Sequence, residues 1–369
     1  MKRWESEIGI ILSMTKETWD TPTFNPWVRD TFRKVSLCRT QALGAEVFAS
    51  DDGSHLIVCH TCKSWACCSC GNRQTLDWQR EQRATLPDIP FIGFTFTLPS
   101  EFRKVIRQNP EVRRSLPALG AAAIEGFALS RYGVRILVLV VMQTFGGSLN
   151  YHPHLHIMAS VGGLRDQDGT WLNRIDYDID ALRELWKVSV LGYLKKAFEC
   201  GHLAPESSED KFLDALQKPV EGWYWHVYAS KVMTKEHFLG YAGRYIRRPP
   251  IAQKRIISIT QDEVIFMAKL RRGQPHQEIS MTPQEFVTRL AWHVPDRYQN
   301  TMGYFGLLAP RTKDLWMGAV FAALNQTQRP KPKRLSHEDA LVETFKRNPY
   351  LDSQGNTMRW LRSIPPQTL

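Results

Sequence analysis

The sequence predicts an α+β fold: a central antiparallel sheet with flanking helices, preceded by a small zinc-binding domain. Three observations carry this reading. Residues 91–98, FIGFTFTL, alternate, with Ile92, Phe94, Phe96 and Leu98 on one face and Gly93, Thr95 and Thr97 on the other. That is the period of a half-buried strand. Residues 136–142 are continuously apolar, rich in Val and Ile and too short for a helix, as a buried central strand requires. Five of the seven cysteines crowd between Cys59 and Cys70, which in a reducing compartment reads as a metal site rather than disulfides.

The elements follow in order. Trp27 to Leu37 is helical, and the cysteine cluster completes a small zinc-supported segment ending near residue 85. The strands at 91–98 and 136–142 are followed by a turn at Gly146 and Gly147 and a further strand, His154 to Val161, closed by Gly162 and Gly163. Ile179 to Phe198 carries apolar residues at helical spacing, with Asp178 or Asp180 available as a cap, and would cover the sheet. Cys200 to Glu209 reads as a loop, Trp223 to Tyr228 as a strand, and Lys235 to Arg247 as a helix ended by Pro249. Ile256–Ile259 and Val264–Leu270 form a hairpin, and Thr282, Pro283 and Glu285 open a helix that stops before Pro295. Residues 326–334, QTQRPKPKR, form a basic linker with little to bury. The chain thus divides into 1–85, helical and zinc-binding; 86–275, the sheet with the helix that follows it; 276–325, helical; and 326–369, a basic linker and tail.

At 369 residues the chain can bury more than one core, and 48 Lys plus Arg against 37 Asp plus Glu leave a net charge of +11. Nucleic acid is the favoured partner. No apolar run approaches the roughly 20 residues of a membrane span, and none at the start resembles a signal peptide. The expected location is the cytoplasm.

Cys59, Cys62, Cys67 and Cys70 make C-x2-C-x4-C-x2-C, in which each C-x2-C pair can bend two thiolates toward one tetrahedral Zn²⁺. The four-residue spacer is shorter than the loop that usually lets two such pairs face one ion, so Cys38 is the substitute ligand. Which four of the five bind stays open. An all-protein ligand set makes the zinc structural. Cys68 and Cys200 read as ordinary thiols.

In YHPHLHIMAS, His154 and His156 stand two apart on a strand, so both imidazoles share a face while Leu155 points to the core. Two imidazoles can hold one divalent ion and leave positions for water or a phosphate oxygen, as Lewis-acid catalysis requires. His152 has the same parity but follows a different path if Pro153 bends the chain, and it ranks second. Gln143 at the neighbouring strand's end reads equally as a third ligand and as a strand-end amide.

Tyr241 and Tyr245 stand one helical turn apart, with Phe238 and Ala242 flanking them. Alone, such a pair reads as a core stripe. Here Arg244, Arg247, Arg248, Lys254 and Arg255 crowd the same region, which suits a phosphate backbone better than a dry core. A phenol with a pKa of about 10 needs help to act as a nucleophile, and the histidine-held ion and the arginines are placed to give it. A phosphotyrosine ester is close in energy to the bond it replaces, so no nucleotide cofactor is needed, and no G-x4-G-K-S/T loop is present.

With the cysteine cluster, the HPHLH strand and the YAGRYIRRPPIA helix in this order, the chain resembles the insertion sequence 91 family of rolling-circle HUH transposases. The name HUH denotes histidine, hydrophobe, histidine. The resemblance runs through LCRTQALG, CKSWACCSCG, FTFTLPS, QTFGGSLNYHPHLHIMASVGG, YAGRYIRRPPIAQKRI and HVPDRYQNTMGYFGLLAPR, most of residues 27–311. It implies an HUH endonuclease domain behind a zinc-binding domain, using Mg²⁺ or Mn²⁺. It also implies a bacterial, nucleoid-associated transposase that nicks and rejoins single-stranded DNA at transposon ends and in target DNA through a 5′-phosphotyrosine intermediate. His154 and His156 match the family's metal ligands, Tyr241 and Tyr245 its nucleophiles, and Cys62, Cys67 and Cys70 its most regular zinc ligands. Two features depart from the pattern: Trp65 stands where the family often has arginine, and the Cys38 to Cys59 spacing is long.

Competing readings make different demands. A plasmid replication initiator or relaxase of the same chemistry often carries a helicase or primase domain, and the sequence shows none. A non-catalytic zinc-ribbon DNA-binding regulator would not need the histidine strand. A metal-dependent hydrolase of small molecules would leave the arginines beside the tyrosines unexplained.

Overall fold

The computed structural model describes residues 6–203, 223–270 and 273–367, apart from Ser69, Arg347, Pro349 and Ser353. Most of the loop expected over Cys200 to Glu209 lies outside the described residues. At the centre is a five-stranded antiparallel sheet in the order Met302–Gly306, Leu137–Phe145, Tyr151–Ser160, Phe91–Thr97 and Val227–Ala229. The apolar run and the alternating run flank the histidine strand, as their burial demands. The strand expected over 223–228 shrinks to Val227–Ala229, because Trp223 and Trp225 turn away to pack on Phe102, at ring distances of 4.8 and 5.7 Å. Met302–Gly306, GYFG in part, has no alternation and was not legible as a strand.

The sheet separates two cores. On one face Phe94, Phe96, Val138, Val140, Leu155 and Ile157 are buried under the helices Pro110–Tyr132 and Ile179–Glu199. Asp178 caps the second of these by accepting from the amides of Asp180 and Ala181, and Trp186 pins it to the sheet by donating to the Thr97 carbonyl at 2.9 Å. Such a cap contributes about 1 kcal/mol. On the opposite face Phe91, Leu139, Val141 and Met158 pack against the helices Gly71–Thr85, Lys235–Ile246 and Lys313–Ala323. His154 and His156 share the parity of Met158 and so lie on this second face.

A third core shows that the N-terminal segment does not pack on itself alone. Ile8, Ile11, Leu12, Phe32 and Val35, from the helices Glu7–Met14 and Pro26–Ser36, bury against Phe266, Phe286 and Leu290. These belong to a three-stranded sheet, Ile256–Ile259, Val264–Ala268 and Gln277–Met281, and to the helix Pro283–Ala291. The expected capping there is present, with Thr282 Oγ1 accepting from the Glu285 amide. The tail is more than a linker: after 326–336, which has no regular structure, come the helix His337–Phe345 and the strand Met358–Ile364. That last strand pairs with Ala45–Ser50, which in turn pairs with His55–Cys59. No described helix is long and apolar enough to cross a membrane.

Gly93 sets how closely the helix Lys235–Ile246 can approach the sheet. A Cβ at this position would lie 2.8 Å from Tyr241 Cε1 and 3.2 Å from its hydroxyl oxygen. Gly93→Val must therefore displace the Tyr241 ring or the helix that carries it, at a cost of about 1–3 kcal/mol. A thermal melt should show the loss, and a melting temperature equal to wild type would refute the close approach.

Candidate active site and zinc centre

Strand register places His154 between Gln143 and Thr97, and His156 between Val141 and Thr95. The strand continues through Pro153, while the register slips on the partner strand between Gln143 and Phe145. The rings of His154 and His156 lie 4.9 Å apart, and those of His152 and His154 5.3 Å apart. His154 Nδ1 meets the His152 carbonyl at 2.7 Å. A carbonyl only accepts, so Nδ1 carries the hydrogen and Nε2 keeps its lone pair for a ligand role. Thr95 Oγ1 meets His156 Nδ1 at 3.4 Å.

Burial pushes His152 and His154 down to about 4 and His156 well below its ordinary value, with nearby positive charge adding to each shift. The imidazoles are thus held neutral, which is the metal-binding form. Neutral imidazoles of His154 and His156 on one face are donors that a divalent ion could use, whereas the group of three or more ligand side chains drawn together among the described residues is the cysteine cluster.

The helix Lys235–Ile246 covers this strand. Thr234 begins it, its hydroxyl accepting from the His237 amide, and Phe238, Leu239, Ala242 and Ile246 fix its buried side. Tyr245 stacks on His156 with ring centroids 3.7 Å apart and planes at 25°. Tyr241 follows 5.0 Å from Tyr245, its ring edge over Gly93. Burial pushes the Tyr241 phenol up from its ordinary value, the Tyr245 hydroxyl adds to this, and Arg244, 5.0 Å over the ring, pulls in the other direction. Gln143 Nε2 donates to the Tyr245 carbonyl at 3.1 Å, so this amide ties the end of the helix to the sheet.

The five basic residues differ in their contacts. Arg244 is exposed beside Tyr241, and Lys254 is exposed on the surface. The charge of Arg248 reaches both His154 and His156, where it disfavours protonation. Arg247 lines a cavity next to the zinc loop. Arg255 is occupied structurally: Nε donates to the Met267 carbonyl at 2.7 Å and Nη2 to the Gly147 carbonyl.

Cys38, Cys62, Cys67 and Cys70 place their sulfurs within 4.8 Å of one another. Cys38 and Cys70 lie 3.6 Å apart, Cys62 and Cys70 3.6 Å, and Cys38 and Cys67 3.8 Å. A tetrahedron with Zn–S bonds of about 2.3 Å has edges of about 3.8 Å, so the cluster has the dimensions of a zinc site. Cys59 stays outside it at the end of its strand; the short spacer is relieved by Cys38, as its length required.

Cys70 immediately precedes the helix Gly71–Thr85, and this helix lies along the tyrosine helix. Gln79 Nε2 donates to the Leu239 carbonyl at 2.9 Å, Arg83 pairs with Glu236 at 3.0 Å, and Gly243 makes room for Gln79. Gly93, Thr95 and Gln79 were not singled out as site residues in the sequence. The first two were legible only as the polar face of a strand, and Gln79 carried no signal.

A family model described as "Putative transposase" matches residues 138–314, and one described as "Transposase zinc-binding domain" matches residues 10–98. The chain is similar to the "Transposase for insertion sequence element IS801" of Pseudomonas savastanoi pv. phaseolicola. The two are 30% identical over 320 residues, covering 82% of this chain and 76% of that protein. It is also similar to the "Putative transposase y4qJ" of Sinorhizobium fredii, 27% identical over 340 residues, covering 85% and 84% of the two chains. No solved structure matches.

Zinc bound by four thiolates contributes on the order of 10 kcal/mol to the fold around it. Purified protein should contain about one tightly held zinc per chain, and Cys67→Ser should lose it and unfold the segment around residues 38–70 first. Elemental analysis that finds well-folded protein without zinc would overturn the assignment.

Proposed function

The chain belongs to the insertion sequence 91 family of transposases, and on that premise we propose that it nicks and rejoins single-stranded DNA through 5′-phosphotyrosine intermediates. The observation that carries this reading is the stack of Tyr245 on His156, with Tyr241 5.0 Å behind it. A structural tyrosine pair needs neither two neutral imidazoles beneath it nor cations around it. A non-catalytic zinc-binding regulator would leave this constellation without a purpose.

In the proposed reaction the phenol oxygen of one tyrosine attacks the scissile phosphorus as its proton departs. The P–O3′ bond breaks, the 3′ oxygen leaves as a hydroxyl, and the 5′ phosphate stays esterified to the tyrosine. Attack by a 3′ hydroxyl on that ester rejoins the strand and releases the phenol. One phosphate ester is exchanged for another, so no nucleotide cofactor is consumed. An ion such as Mg²⁺ or Mn²⁺, held by His154 and His156, would supply Lewis-acid polarisation of the phosphate. Arg248, whose charge reaches both histidines, is placed to hold the phosphate, and Arg244 lies over the Tyr241 ring. The position of Tyr245 against His156 supports Tyr245 as the first nucleophile, with Tyr241 serving the second cut. Such an enzyme would work in the bacterial cytoplasm, on DNA of the nucleoid.

Single-stranded oligonucleotides from the two ends of the element, incubated with the protein and Mg²⁺ or Mn²⁺, should give a covalent adduct on a denaturing gel. Peptide mapping should find the first adduct on Tyr245. Tyr241→Phe should keep that adduct while blocking complete transposition, and the double Phe variant should form none. An adduct on neither tyrosine would sink the mechanism.

A separate outcome tests the histidines. His154→Ala should slow adduct formation by a factor on the order of 100 or more and leave DNA affinity nearly unchanged, because affinity comes mainly from Lys and Arg contacts to the backbone. Cutting at the wild-type rate would make the histidines structural.

A further inference from the structure

A cavity of about 340 Å³ opens between the zinc loop, the helix Pro26–Ser36 and segment 294–302, lined by Trp27, Trp65 and Tyr298 and reaching Arg247 at the end of the tyrosine helix. The chemistry above does not use it. We propose that this cavity receives an unpaired base of the DNA strand beside the scissile phosphate, the aromatic rings stacking on the base while neighbouring cations hold the adjoining backbone. The proposal rests on the single-strand reading above and adds where the strand is gripped.

The aromatic residues are presented in ways that packing alone does not require. Trp27 is anchored by its indole N–H, which donates to the Pro295 carbonyl at 2.9 Å, so little side-chain freedom would be lost on stacking. Tyr298 is 86% exposed and sits at φ +66°, a left-handed conformation that costs energy for a bulky L-residue. Holding a ring in solvent on a strained backbone gains nothing in stability. Trp65 lines the cavity with its ring, its indole N–H turned from solvent and without a hydrogen-bond partner among the described residues.

Charge and position point the same way. The acidic groups on the cavity wall are already paired, Asp30 with Lys34 at 2.7 Å and Asp296 with Arg113. Lys63 and Arg247 on the wall, and Arg297 beside it, have no carboxylate partner among the described residues, and Arg297 lies 5.9 Å from the Trp27 ring and 4.9 Å from that of Tyr298. The field is therefore positive and suits a polyanion. Trp65 packs on Phe145 at 6.3 Å, two residues beyond Gln143, which bonds the Tyr245 carbonyl. The cavity thus lies one layer of side chains from the proposed nucleophile. Its volume falls at the low end of small-ligand sites, roughly 300–1,000 Å³. That is room for a nucleoside but not for a duplex, and stacking without base pairing is how single strands are commonly held.

The test uses the full chain and single-stranded DNA from the element's ends, with an abasic site moved along the strand one position at a time. In wild type, one position next to the cut should lower affinity about 5- to 100-fold when its base is removed. In Tyr298→Ala, whose exposed ring can be lost without unfolding, the intact strand should bind more weakly and the abasic penalty should shrink. Trp65→Leu removes a stacking ring from the cavity wall and should reduce the same penalty. 5-Iododeoxyuridine at the sensitive position should cross-link to a peptide containing Trp27, Trp65 or Tyr298. A flat abasic profile, or cross-links elsewhere, with adduct formation intact would overturn the cavity assignment alone. Absence of any tyrosine adduct in wild type would instead overturn the reading beneath it and take the assignment with it.

Discussion

The site depends on one constraint, the close approach of a helix to a sheet. Tyr245 reaches stacking distance of His156 only because the helix Lys235–Ile246 lies almost directly on the sheet, and Gly93 is what leaves room for Tyr241 beneath it. The sheet brings the two imidazoles to one face by its pleat, and the helix brings the two phenols to one face by its turn. Neither periodicity alone makes a site. Their registration does, and it is held by the Gln143 amide on the Tyr245 carbonyl and by the packing of Phe91 on Phe238 at 4.1 Å.

The zinc centre belongs to the same mechanical system. Four sulfurs at the dimensions of a zinc tetrahedron fix Cys70, and Cys70 opens the helix Gly71–Thr85 that braces the tyrosine helix along its outer side. The zinc site stands apart from the histidine face yet bears on where the tyrosines stand. The C-terminal strand adds to this brace, since Met358–Ile364 pairs with the strand that precedes the zinc loop. The segment around the zinc is therefore held by contacts from distant parts of the chain, which also explains why its helices share a core with residues 264–290.

Much of this was legible in the sequence because its signals are local. Alternation at 91–98, the apolar run at 136–142 and the cap at Thr282 each predict an element that is present, and the spacing of His154, His156, Tyr241 and Tyr245 places each pair on one face. The choice of Cys38 over Cys59 was only half legible: the short spacer argued for a substitute, but which cysteine closes the tetrahedron is decided by how residues 38 and 62 meet across a hairpin. Strand Met302–Gly306 and strand Met358–Ile364 were missed for related reasons. The first is half-buried without alternation, and the second is largely exposed with an arginine at every third position, so neither carries the pattern of a strand that faces a core. Arg255 was counted among the phosphate contacts because composition cannot reveal that backbone carbonyls already occupy its guanidinium.

The electrostatics of the site bear on the proposed reaction. Burial keeps His154 and His156 neutral, and the charge of Arg248 reinforces that. Burial also raises the Tyr241 phenol, which keeps it protonated. A divalent ion held by the two neutral imidazoles beside Arg244 and Arg248 would, in that reaction, leave net positive charge at the site, and a phosphodiester would neutralise it. In the proposed reaction, the arrival of the strand would therefore complete the site electrostatically before any bond is broken. A tyrosine suits such a design: with a pKa of about 10 it stays protonated and weakly nucleophilic at neutral pH, yet that pKa lies well below an alcohol's, so the phenolate leaves more readily than an alkoxide when the ester is resolved.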